Sequence, residues 1–208
     1  MDQPVSGPIL SAAELRTVYA SPREAAVLKS RDRIDAFARQ FIGWSPFFVL
    51  SSSDGAGHAD ASPRGDQPGF VAVVDEGTLR FPDRPGNNRL DTMSNILASP
   101  GVGMLFFIPG FDETLRINGA ARILRDPALC AQFTVNGKPA LSVVEVAVTE
   151  VYFHCGKALK RSRLWDPASR RDRAEFASHG RIIAEQTQAV SVAESETYVE
   201  TSYRERMW

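Results

Sequence analysis

Several common chemistries are missing from this 208-residue chain. It has two cysteines, Cys130 and Cys155, without Cys-x-x-Cys spacing. Two are too few for a disulfide framework, and both read as buried small apolar residues. Its three histidines, His58, His154 and His179, lack metal-ligand spacing, so no metal site is expected. No apolar run approaches the ~20 residues of a membrane-spanning helix, so no membrane partner is expected. The N-terminal MDQPVSGPILSAAELR has no basic region followed by an apolar core. It does not read as a signal peptide, and a cytoplasmic location is the default expectation. The formal net charge of −1 removes the global basic field that drives nonspecific nucleic-acid binding. There is no G-x-G-x-x-G and no Walker loop, which leaves dinucleotide and nucleoside triphosphate folds unsupported. No nucleophile–base–orienter set can be assembled either.

What is present is a chain of turns and short apolar segments. Residues 10–42 look helical, as one or two helices. Ser11 and Glu14 have capping-box spacing, and Ser21-Pro-Arg-Glu repeats a start signal. Ala26, Leu28, Ile34, Phe37 and Phe41 fall roughly at helical spacing, with Gly43 as the stop. The period then changes. PFFVLSSS, FVAVV, TLRF, GVGMLFFIPG, TLRINGAARIL and LSVVEVAVTEVYFHC read as strands, and HADASPRGD as extended and polar. Arg89 to Leu97 and the segment after Asp126-Pro127 read as short helices. Residues 168–188 look helical and polar, and the last stretch has no clear pattern. Strands joined by short turns are antiparallel, so the fold class is mainly β with flanking helices (α+β), a barrel or sandwich of about six strands.

Three stretches carry candidate chemistry. In FPDRPGNNRLD, residues Arg84, Asn87, Asn88 and Arg89 lie between a strand end and a helix start. A helix N-terminus offers free N–H groups and partial positive charge, and Arg adds planar donors, so the cluster suits a dianionic phosphate. A solvated loop with an Asn cap is the plainer alternative. In ASPRGD, Pro63 has no N–H to give, so the segment is a strand edge, a bulge or a loop, with Arg64 facing solvent or ligand. FHCGKALKRSRLW crowds Lys157, Lys160, Arg161 and Arg163 beside His154 and Trp165. That mixture can hold an aromatic anion or RNA, or form a solvated basic face.

In this order the segments ADASPRGD, GFVAVVDEGTLRFPDRPGNNRLDTMSNILASPGVGMLFFIPG, LRINGAARI and VYFHCGKALKRSRLW resemble the pyridoxamine phosphate oxidase-like family, the FMN-binding split β-barrel proteins. The resemblance covers roughly residues 45–165 and is nearest a bacterial subgroup of FMN-binding proteins. It implies a six-stranded antiparallel split β-barrel over 45–165, preceded by a helical segment 1–44 and followed by a helix and tail 166–208, as one structural domain. It implies a homodimer with FMN at the subunit interface. Arg89, with Asn87 and Asn88, would grip the FMN phosphate, and Arg84 is a further candidate. Ala61, Ser62, Pro63 and Arg64 would lie along the ring and ribityl chain. Thr114 and Arg116 would reach the cofactor, often from the other subunit, and His154, Lys157, Arg161, Arg163 and Trp165 would contact it near the flavin.

The function implied is an FMN-dependent oxidoreductase that moves a hydride between a small molecule and flavin N5. Non-catalytic flavin or haem binding on the same fold, or a nucleic-acid-binding module, is the alternative. The phosphate loop reads Asn-Asn-Arg where the oxidase has Ser-Arg-Lys, and no C-terminal Arg-x-His pattern is present. These departures argue against pyridoxine phosphate as the substrate.

Overall fold

The computed structural model describes residues 7–207. Three short helices come first: α1 (Ala12–Val18), α2 (Glu24–Leu28) and α3 (Ala36–Trp44). Ser11 caps α1 through the Glu14 N–H, as its spacing predicts, but the Glu14 carboxylate returns to the Leu10 N–H. Two expectations fail. The second helix starts at Glu24 after Arg23 and is not capped by Ser21. Gly43 lies inside α3, which ends at Ser45 instead. There the Ser45 hydroxyl lies within 2.7 Å of the carbonyl of Phe47 and 2.6 Å of that of Phe107, and Pro46 blocks continuation. The helical run breaks between α2 and α3 because Arg31 leaves it to bridge Val151 of the sheet through two backbone bonds of 3.0 and 2.7 Å. Ile34 and Phe41 are buried as their spacing predicts, whereas Phe37 is exposed.

The sheet has seven strands, one more than the sequence suggests: β1 (Phe47–Ser53), β2 (Ala59–Gly65), β3 (Ala72–Asp75), β4 (Thr78–Asp83), β5 (Gly101–Phe107), β6 (Thr114–Leu124) and β7 (Ser142–His154). The seventh is β2. Its sequence ADASPRG is too polar to announce a strand, yet it pairs along all of β1. Every pairing is antiparallel, in the order β2-β1-β5-β6-β7-β4-β3. Among the described residues the outer strands β2 and β3 do not pair with each other, so the sheet is not a closed ring.

Alternation builds the core. Val102, Met104 and Phe106 of β5 face Phe48 and Leu50 of β1, Leu79 and Phe81 of β4, and Leu115 and Ile117 of β6. Phe48 is completely buried, with the Phe106 and Phe81 rings at 5.0 and 5.1 Å. A fully buried side chain of this kind contributes about 1.5–3 kcal/mol. At Asn118/Gly119 the β6–β7 register slips. Gly119 is required there, since a Cβ would drive into the Ala147 carbonyl.

Helix α4 (Asp91–Ala98) crosses one side of this sheet, and α5 (Pro127–Ala131), capped by Asp126, closes a smaller cluster of Leu129, Cys130, Ala140 and Val143. After β7 come α6 (Lys157–Ser162), α7 (His179–Thr187) and α8 (Val192–Arg206). The α7–α8 hairpin is tight because Gly180 lets α7 approach the Glu196 backbone, where a Cβ would stand 2.7 Å from Glu196 Cα. The Ser178 hydroxyl also donates to the Glu196 carboxylate at 2.6 Å. Among the described residues no helix is long and apolar enough to cross a membrane.

Candidate functional site

A cleft of about 390 Å³ opens where β2, the end of β4, the loop after it and the start of α4 meet. That size is within the range of small-molecule sites. Seven of the expected residues line it: Ser62, Pro63, Arg64, Arg84, Asn87, Asn88 and Arg89. Ala61 precedes them on β2 and lies outside the cleft.

Local sequence shapes the rim. Asn88 and Leu90 both sit in the left-handed region at φ 60°. For Asn this is tolerable, but for Leu it costs about 1–2 kcal/mol. The Asn87 side chain accepts from the Arg89 N–H at 3.0 Å and so folds the loop back on itself. Helix α4 begins at Asp91, two residues later than the sequence suggests, because Leu90 takes the cap position. No side chain caps it, so the N–H groups of its first turn lack helical partners where residues 90–93 line the cleft. The helix is held in place from below: Thr92 Oγ1 donates to Ser62 Oγ at 3.1 Å, and Asn95 donates to Asp60 at 2.7 Å and Ser52 at 3.1 Å.

The three cleft arginines are not equivalent. Arg84 donates to Asp66 through Nε and Nη2, at 3.1 and 2.9 Å, and to the Phe133 carbonyl at 2.7 Å. Its guanidinium is a brace for the loop. Arg89 is exposed and donates from Nε to Asp91 at 2.9 Å. Arg64 is three-quarters buried, lies 3.7 Å from Asp83, and has a buried Nε with no hydrogen-bond partner among the described residues. Burial pushes the Asp83 carboxyl above its ordinary value, and the Arg64 charge opposes that only in part. Asp66, Asp83 and Asp91 escaped the sequence reading. Nothing in their spacing says that each stands beside an arginine.

The remaining expected residues gather elsewhere. Thr114 pairs with His154, and Arg116 with Tyr152, where β6 begins and β7 ends. Leu141, on the cleft, immediately precedes β7, so the strand separates the two places by roughly 40 Å of extended chain. Arg116 donates to Glu150 at 2.9 Å and lies 5.1 Å over the Tyr152 ring, while its buried Nε has no partner among the described residues. Burial pushes the His154 imidazole down, and the charges of Arg116 and Lys29 add to the shift. Lys157 and Arg161 are exposed on α6. Arg163 is engaged with Asp166, and Trp165 Nε1 donates to the Phe111 carbonyl at 2.7 Å.

The antiparallel sheet thus carries a cleft lined by three arginines and the first turn of α4. The sequence model of the pyridoxamine 5'-phosphate oxidase family matches residues 34–155, more than half of the chain. The chain belongs to that family. No curated protein sequence matches it. Similar solved structures include HupZ of Group A Streptococcus, with 14% identity over 58% of this chain and 93% of that one, TM-score 0.48. General Stress Protein 26 from Bacillus anthracis has 15% identity over 55% and 88%, TM-score 0.43. An FMN-binding protein from Syntrophomonas wolfei has 9% identity over 56% and 88%, TM-score 0.43. Likenesses this distant assign no residue and no ligand.

Proposed function

We propose that this chain is an FMN-binding oxidoreductase that grips the flavin phosphate in the Arg64–Arg89 cleft. One observation carries the reading: Arg64 reaches the cleft with its Nε buried and unpaired, beside the open first turn of α4. A buried donor left unmade costs about 1–3 kcal/mol, and an anion at this position removes that cost. Family membership supplies the class of anion.

In this reading Arg64 and the α4 N–H groups hold the phosphate. Arg89 turns from Asp91 to join them, and Asn87 and Asn88 keep the loop shape. Ser62 and Pro63 line the path away from the phosphate. When bound, FMN supplies hydride chemistry at N5, and the protein's part is to bind, orient and shield. Arg116, His154 and the α6 residues stand too far along β7 to serve the same cleft. They take part if a second copy brings its β6–β7 end to this cleft, as in a homodimer with FMN at the interface. The acceptor or donor is a small molecule.

The test is flavin retained through desalting, measured by absorption, together with mass in solution. Retention by a dimer supports the reading. A protein that retains no flavin at any added concentration excludes it.

A further inference from the structure

The loop that borders the phosphate cleft has a second cleft against it, of about 350 Å³, closed by the C-terminal helical hairpin. Gly86 and Asn87 belong to both clefts. Pro85 of the same loop adds to this wall, and the rest comes from α7, α8 and the adjoining Met207, which lie beyond residue 155, where the family match ends. We propose that this cleft is a second ligand site, for a planar aromatic molecule carrying one negative charge.

The chemistry of the wall selects that class. Tyr198 and Tyr203 offer ring faces, and both are more than half exposed, so a flat ligand can reach them. Ile183 and Val199 add apolar surface on the hairpin side. Arg206 supplies the charge. Among the described residues no carboxylate pairs with it, and its guanidinium lies 6.0 Å from the Tyr198 ring centre. This is the reverse of the first cleft, where Arg64, Arg84 and Arg89 each stand beside an aspartate. Among the described residues no Asp or Glu lines the second cleft, and His179 adds a further donor. A ring stacked on tyrosine with its anion on Arg206 satisfies each of these groups at once. The hairpin is rigid enough to hold the wall, because Gly180 and the Ser178–Glu196 bond lock α7 on α8.

The site stands apart from the flavin reading, since none of its ring-binding or charged groups belongs to the phosphate cleft. Titration calorimetry on the purified full chain, with and without FMN, tests it with three probes: 2-naphthoate, cyclohexanecarboxylate and 2-naphthol. The expected result is saturable binding of 2-naphthoate, at least tenfold tighter than either probe that lacks the ring system or the charge. Arg206→Ala should weaken 2-naphthoate at least fivefold and leave 2-naphthol unchanged. Tyr203→Ala should weaken both aromatic probes. Phe37→Ala, in the exposed aromatic groove on α3, should change nothing. Flavin retention, read separately, should be the same in all three variants. Equal binding of the three probes, no binding of 2-naphthoate at millimolar concentration, or an Arg206→Ala variant that binds it as well as the parent would overturn the proposal.

Discussion

The two ends of β7 are built from similar residues to opposite effect. At the Ser142 end the chain leaves a hollow. Arg64 has an unpaired Nε, α4 has an uncapped first turn, and the loop between them is bent through two left-handed residues. At the His154 end the carboxylate is filled by its neighbours, although the Arg116 Nε, like that of Arg64, has no partner among the described residues. Glu150 accepts from Arg116, Asn118 and Ser30, and Lys29 sits 4.3 Å over the Tyr152 ring. Phe41 and Phe153 pack edge to face beside them at 5.5 Å. The first end can admit a whole ligand. The second can only add contacts from outside, which is what a partner subunit would use. Arginine content alone does not mark a ligand site. Arg64 and Arg116 both keep a buried Nε without a partner among the described residues, and what separates them is that Arg64 lines an open cleft.

A position three residues into the strand from Ser142 gives the control. There Glu145, buried at 7% exposure, takes Arg80 and Arg122 together. Burial raises its carboxyl, but the hydrogen bonds and charges of the two arginines outweigh that and hold it below its ordinary value. Glu145→Gln should therefore have the largest effect on stability, a loss of about 2 kcal/mol in urea unfolding from its charge-assisted hydrogen bonds, with flavin affinity unchanged. The pH dependence has a definite sign. A carboxyl lowered by folding stabilises above its unfolded value, and that contribution is lost as pH falls through the folded value. The parent should lose stability in acid more steeply than the Gln variant. Parallel pH profiles would mean the triplet contributes nothing.

At the hollow end, Arg64→Ala should weaken FMN by about 30-fold, equivalent to about 2 kcal/mol, in a fluorescence titration. At the His154 end, in the proposed homodimer, Arg116→Ala should weaken FMN by about fivefold, with the mass in solution unchanged from the parent. An Arg116 effect equal to or larger than that of Arg64 would reverse the ranking of the two ends. Arg163→Ala should change flavin affinity and stability least, by under ~0.5 kcal/mol, because its guanidinium is exposed and engaged with Asp166.

The parts legible in the sequence are those where one periodicity dominates. FVAVV, TLRF, GVGMLFF and TLRINGAARIL announce strands through β-branched and aromatic residues, and Asp126-Pro127 announces α5. β2 is only half legible: HADASPRGD reads as extended, but its polar side chains do not mark a strand, since its pairing with β1 is set by backbone bonds. Residues 168–188 read as helical and contain α7, whereas α8 is hidden because its faces are weakly apolar, although Ser191 and Glu194 form a complete capping box that could have located its start. Within the site, the loop residues were legible from the Asn-Asn-Arg sequence before a helix. Their inequality was not. Only the positions of Asp66 and the Phe133 carbonyl turn Arg84 into a brace, and only the burial of Arg64 leaves its Nε without a partner among the described residues.

The most direct test is an absorption spectrum of the protein after FMN is added and excess removed by desalting, run beside an Arg64→Ala, Arg89→Ala double variant of matched melting temperature. The account predicts flavin bands retained by the parent and lost by the variant. Bands retained equally by both, or by neither, would contradict it.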